Sequence, residues 1–235
     1  MDDIRNDLAP TGTLRASINL GNPVLAAGTP EDPSGITVAL ARELAARLGV
    51  GVELVCFGAA KDSVAAITDG RADLGFVAVD PGRPLGFTSP YALIEGVYVV
   101  GDHSTITAAD DVDALGVIVG VKQGSAYDLH LTRTLQHAQI ERGHEGIDVY
   151  AERHLDVGAG IRQPMTEWVA AHPGHRIVEP AFMQIRQAVA VPQDWPETAL
   201  AWLDATISEL LATGFVADAL RDAGQDTGLA AVSGQ

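Results

Sequence analysis

The chain has 235 residues, of which 47% are hydrophobic and 20% charged, and its 15 basic and 31 acidic residues give a formal net charge of −16. Abundant apolar residues with scattered acids exclude a disordered chain, and so negative a field excludes nucleic acid as the natural partner, leaving a small molecule or another protein. The length suits one large domain or two small ones.

The opening MDDIRNDLAP has neither the basic n-region nor the apolar h-region of a secretory signal. The expectation is a cytoplasmic protein if Met1 is the native start, and a periplasmic one if a leader was removed. No stretch approaches the roughly 20 apolar residues that span a bilayer, so no membrane insertion is expected. Cys56 is the single cysteine. Within VELVCF it reads as a buried structural residue rather than a nucleophile.

In chain order, residues 14–20 form an apolar run ending in Gly21, Asn22 and Pro23, which predicts a strand leaving its sheet in a turn. TVALARELAARLG follows, with Leu40, Leu44 and Leu48 at helical spacing and Gly49 as its stop. VELVCF predicts a strand, 62–68 a short helix and LGFVAV at 74–79 a third strand, a β-α-β-α-β unit with helices crossing between parallel strands. A second unit follows Tyr91: strand GVYVVG at 96–101, a short helix at 110–115, strand VIVGV at 117–121, then a helix after Gly124. Further strands are predicted at 147–150, 157–161 and 176–178, with a helix at 166–171 between the last two. QIRQAVAVP at 184–192 returns as a strand, helices cover 197–213 and 215–223, and the Gly- and Ala-rich tail after Gly224 is expected to be mobile. The alternation is that of an α/β protein.

Five segments in this order, GTLRASINLGN, GITVALARELAARLG, DGRADLGFVAV, DPGRPLGFTSPY and VGVKQGSAYD, resemble the family 3 solute-binding proteins of amino-acid ABC transporters. The resemblance covers most of the chain. It implies the type 2 periplasmic-binding-protein (Venus-flytrap) fold, two α/β lobes joined by two hinge strands with the ligand in the cleft between them. Lobe 1 would be 1–96 plus 191–235 and lobe 2 would be 97–190, with GVYVVG and QIRQAVAVP as the hinge strands.

Arg83, in the loop before FTSPY, matches the position where the family holds a ligand carboxylate with an arginine, whose planar fork makes two charge-assisted bonds to one carboxylate. The alternative is a surface arginine in a Pro-Gly turn. Asp80 offers an acceptor for an amine or hydroxyl, or else only starts the Asp-Pro turn. Asn19 and Asn22 flank the exit of the first strand, where ligands collect in open α/β sheets, although Asn22 equally suits the backbone of a Gly-Asn-Pro turn. Gly124, Ser125 and Tyr127 open the second-unit helix, whose free N–H groups favour an anion, while Ser125 with Asp128 also fits a capping box. Arg162 with Gln163, and Arg186 with Gln187, lie in or beside apolar runs. Three arginines, Arg83, Arg162 and Arg186, converging on one cleft would imply a ligand with one or two carboxylates; otherwise salt bridges within the lobe account for them.

His130, His137 and His144 are seven apart, which on a helix separates neighbours by about 10 Å, too far for one ion. His172 and His175 flank a Pro-Gly turn. No Walker loop, nucleophile elbow or Cys/His framework is present, so neither a metal nor a cofactor is expected. The expected function is a solute-binding protein closing over a small anionic or zwitterionic metabolite such as an amino acid or dicarboxylate, with an ABC-transporter permease as partner if exported. The alternative is a cytosolic enzyme on the same fold, resembling cyclohexadienyl dehydratase, with Glu95 or Asp80 as base. A sensory module is a third reading.

Overall fold

The structure is a computed structural model and describes residues 2–232. Two compact units divide the chain: unit 1 is Met1–Leu93 with Arg186–Gln235, and unit 2 is Ile94–Ile185.

Unit 1 opens with helix α1 (Asp2–Leu8) and strand β1 (Thr13–Asn19), followed by the two-residue strands β2 (Ala27–Gly28) and β3 (Pro33–Ser34) and helix α2 (Ile36–Leu48). β4 (Gly51–Phe57), α3 (Ala60–Thr68), β5 (Leu74–Ala78) and β6 (Leu85–Phe87) complete its first segment. β4 and β5 both pair with β1 in parallel, so α2 and α3 are the crossovers that parallel strands require. Leu40, Leu44 and Leu48 of α2 are fully buried, as their spacing predicts. Gly49 takes the left-handed conformation at φ 70° and hands its N–H to the last turn of the helix.

Two strands, β7 (Ala92–Gly101) and β11 (His175–Pro192), run through both units. Between them, unit 2 contains β8 (Ile118–Lys122), α4 (Ala126–Thr134), β9 (Gln139–Gly143), α5 (Gly146–Arg153), β10 (Val157–Ile161) and α6 (Arg162–Ala171). β10 pairs antiparallel with β7 and parallel with β8, and β8 carries β9 on its other side. Val97, Val99, Tyr150 and Met165 form its buried apolar centre. The chain returns to unit 1 along β11, which lies antiparallel to β5 and β6, and ends in α7 (Glu197–Ala212) and α8 (Phe215–Asp222). Among the described residues, no single helix is long and apolar enough to cross a membrane.

Four expectations change. Residues 147–150 are helical within α5, not a strand. A Cβ on Gly146 would lie 2.5 Å from the Ala159 carbonyl oxygen, and one on Gly120 would lie 2.8 Å from that of Gly146. Backbone-to-backbone packing of α5 on β8 and β10 therefore outweighs the β-propensity of Ile147, Val149 and Tyr150. The strand lies instead at β9, whose residues QIERG include none that is buried, so no apolar run announces it. The tail after Gly224 is ordered through Val232: Ala230 bridges to Ala92 and the Ala231 N–H donates to the Tyr91 carbonyl at 3.0 Å. Residues 233–235 lie outside the described residues. Cys56 is half-buried rather than buried, and burial pushes its thiol above the ordinary range, which keeps it protonated.

Candidate functional site

In unit 1 the candidate residues follow the carboxyl ends of β1 and β5, the end of an open α/β sheet where ligands collect. Asn19 closes β1, and its Oδ1 accepts the Gly21 N–H at 3.1 Å. Asn22 is buried; its Oδ1 accepts the Val24 N–H at 3.3 Å, and its carbonyl accepts those of Leu25 and Ala26 at 3.0 Å each. Both side-chain oxygens shape the turn, as local Asx geometry does.

Past β5, the Asp80 Oδ1 accepts the Gly82 N–H at 2.8 Å and the Asp80 carbonyl accepts the Arg83 N–H at 3.1 Å. The Asp-Pro-Gly turn thus folds Arg83 back onto the end of its own strand, where Nη1 donates to the Ala78 carbonyl at 2.7 Å. Arg83 is only 8% exposed. Burial lowers its pKa, and the nearby Asp80 charge opposes that shift. No carboxylate among the described residues lies within ion-pair distance of Arg83. A buried guanidinium in this condition suits an incoming carboxylate, since the pairing would offset its desolvation.

Arg186 also belongs to unit 1, on β11, but its side chain is exposed. It lines an open groove of about 470 Å³ with Phe87, Leu200, Glu197 and Asp204. Arg83 does not line that groove. Gln187, the neighbour of Arg186, is buried and pairs in register with Ala78.

In unit 2, α4 opens with Ser125 as N-cap, its Oγ accepting the Asp128 N–H at 3.1 Å. The Asp128 carboxylate reaches back to the Gly124 N–H at 2.8 Å, completing a box one residue wider than the Ser-x-x-Asp pattern predicts. Gly124 stands at φ 74°, the left-handed region. Tyr127 is buried, and burial raises its pKa. Two of the N–H groups at this helix opening are therefore already bound by the chain itself.

Arg162 begins α6. Its Nε donates to Glu95 Oε2, and its Nη1 and Nη2 form a fork on the two Glu179 oxygens at 2.6 and 2.8 Å. The two carboxylates raise the Arg162 pKa and, in return, Arg162 holds the Glu179 carboxyl below the usual carboxylate range. Of the two expectations for these arginines, Arg162 has the salt bridges within its own unit, and Arg186 lines a surface groove. Glu95, weighed as a general base, is ion-paired with Arg162. Gln163 follows, and its Oε1 is buried with no hydrogen-bond partner.

Two groups escaped the sequence reading. Lys122, buried at the end of β8, pairs with Glu145, and Glu179 holds Arg162. A lysine closing an apolar strand directly before the Gln-Gly-Ser turn was a readable signal; Glu179 had none. Of the seven-spaced histidines, His130 lies in α4, while His137 and His144 lie outside any helix or strand.

Residues 20–223 match the family model for bacterial extracellular solute-binding proteins, family 3. None of the curated proteins matches the sequence. Among solved structures, an L-arginine-bound amino acid ABC transporter substrate-binding protein, AbpA, from Streptococcus pneumoniae is similar at TM-score 0.75 and 21% identity, covering 92% of this chain and 96% of that one. A cysteine-binding protein from Campylobacter jejuni is similar at TM-score 0.74 and 20% identity, covering 94% and 91%. An ancestral amino acid-binding protein, AncCDT-1, a precursor of cyclohexadienyl dehydratase, is similar at TM-score 0.73 and 19% identity, covering 93% and 98%. At such identities the likeness is one of fold, the type 2 periplasmic-binding-protein fold. Because the family match spans most of its length, the chain belongs to the bacterial extracellular solute-binding proteins of family 3.

Proposed function

We propose that this solute-binding protein takes a small carboxylate-bearing metabolite, most simply an amino acid, and that Arg83 receives the carboxylate. The carrying observation is the buried Arg83 guanidinium, which has a carbonyl partner but no carboxylate within ion-pair distance among the described residues. Asp80, three residues away, is the acidic side chain of the same turn. The amino-acid class is favoured because the similar structures are named as amino-acid-binding proteins. Membership of an extracellular family favours action outside the cytoplasmic membrane, with an ABC-transporter permease as protein partner.

The elimination-chemistry alternative has weaker support. The glutamate suited to abstract a proton, Glu95, is ion-paired with Arg162, and the relative that points towards such chemistry is itself named as an amino acid-binding precursor.

Calorimetric titration of the purified chain with the standard amino acids, each recovered and checked by mass spectrometry, tests the reading. At least one should bind and return intact, and Arg83→Ala should weaken it about 100-fold, the loss expected when a charge-assisted pair is broken in a desolvated site, with the ligand-free melting temperature little changed. Unchanged affinity in Arg83→Ala would sink the assignment of Arg83, and conversion of the ligand to product would sink the binding reading.

A further inference from the structure

We propose that the open groove of unit 1 beside α7 is a second small-molecule site, and that it takes a diamino acid, a molecule with one carboxylate and two ammoniums joined by an alkyl chain. Every residue of the site belongs to unit 1, and Arg83 does not line it, so the proposal stands apart from the reading of Arg83.

One wall of the groove is a stripe of α7. Glu197, Leu200, Ala201 and Asp204 recur at i, i+3, i+4 and i+7, so the helix turns all four to one side, and all four line the space of about 470 Å³. That volume is within the range of small-molecule sites. Along the helix the stripe runs acid, apolar, apolar, acid. Seven residues of helix separate the two acids by about 10 Å along the axis. Two ammoniums about five carbons apart suit that spacing, with a hydrogen bond at each end. The methylenes between them would lie on Leu200 and on Phe87 of β6, which lines the same groove.

The third charge decides the class of ligand. Arg186 lines the groove, and its guanidinium has no hydrogen-bond or ion-pair partner among the described residues. Glu197, exposed in the first turn of α7, has none either. Asp204 is held in place by the Ser89 N–H, which donates to its Oδ1 at 2.5 Å, and its second oxygen is not engaged by any described residue. One cation and two anions thus share a single groove without pairing with one another. A plain diamine would meet repulsion from Arg186, a monoamino acid would leave one carboxylate unanswered, and a dicarboxylate would be repelled by both acids. A diamino acid answers all three charges, with its carboxylate on the Arg186 guanidinium and one ammonium on each acid.

A site-resolved NMR titration of the isotope-labelled full-length protein tests this, following the backbone amides of Ser89, Leu200 and Ala201. The probes are L-lysine, cadaverine, which lacks the carboxylate, and L-norleucine, which lacks the terminal ammonium. L-Lysine should shift these resonances to saturation and bind about threefold or more tightly than either comparator, the worth of one partly exposed charge pair. Arg186→Gln should weaken L-lysine about threefold yet tighten cadaverine, a change of sign that a merely structural arginine would not produce. Glu197→Gln and Asp204→Asn should each weaken both diammonium probes, and the asparagine keeps an oxygen for the Ser89 N–H. No saturable shift with L-lysine, or equal affinity for L-lysine and L-norleucine, overturns the groove site and leaves the Arg83 reading standing. Groove shifts that disappear in Arg83→Ala come from binding elsewhere and overturn it as well. The Arg83 reading falls only on its own calorimetric test, whatever the groove does.

Discussion

Arg83 and Arg162 both follow the carboxyl end of a strand, Arg83 in the turn after β5 of unit 1 and Arg162 directly after β10 of unit 2. Arg83 is 8% exposed and bonds a carbonyl, whereas the Arg162 side chain is 27% exposed and bonds two carboxylates. The difference lies in what surrounds the guanidinium. A buried cation left with a neutral partner keeps its charge for a ligand; a cation already held by two acids has become part of the scaffold. The residue type, and even its place in the fold, does not separate a receptor from a fastening. The partners do.

A third arginine sharpens this contrast and should show the largest effect. Arg15 donates its Nε, Nη2 and backbone N–H to Asp73, at 3.2, 2.5 and 2.8 Å, and Asp73 is only 2% exposed. Asp73→Ala should lower unfolding stability by about 3 kcal/mol in urea melts, because it strands a cation and a backbone donor. A loss under about 1 kcal/mol would show that arginine pairing in unit 1 does not hold the scaffold.

An intermediate effect is expected at the opening of α4. If the Ser125 hydroxyl serves the helix, Ser125→Ala should cost about 1 kcal/mol and Ser125→Gly only a few tenths. Equal losses in the two variants would show that the cap is not what the hydroxyl supplies.

The smallest effect belongs to the exposed fork. Glu179→Gln should cost less than about 1 kcal/mol at neutral pH, since solvent screens the pair. Arg162 depresses the folded-state pKa of Glu179, so its contribution is fully present above the unfolded carboxylate pKa and is lost as pH falls through the folded value. Melting temperatures of parent and variant, compared from pH 7 downwards, should therefore converge under acid conditions. A gap that widens as pH falls would contradict the pairing.

Sequence by itself determined what depends on near neighbours. Leucines at helical spacing ending in Gly49 specify α2, the Asp-Pro-Gly run specifies the turn that carries Arg83, and Ser125 with Asp128 specifies the cap of α4. Each is a contact over a few residues, legible because the partners are adjacent in the chain. The order of such segments, with the resemblance they carry, was enough to indicate the fold. Only the tertiary structure decided the fates of Ile147 to Tyr150 and of Arg162. Ile147, Val149 and Tyr150 have β-forming side chains, yet glycine-to-backbone contact with two strands makes this segment helical. Glu95 and Glu179 lie 67 and 17 residues from Arg162, so nothing adjacent to that arginine announces that its charge is taken. Propensity and turn chemistry act along the chain, whereas charge neutralisation and close packing are settled by groups that folding brings together.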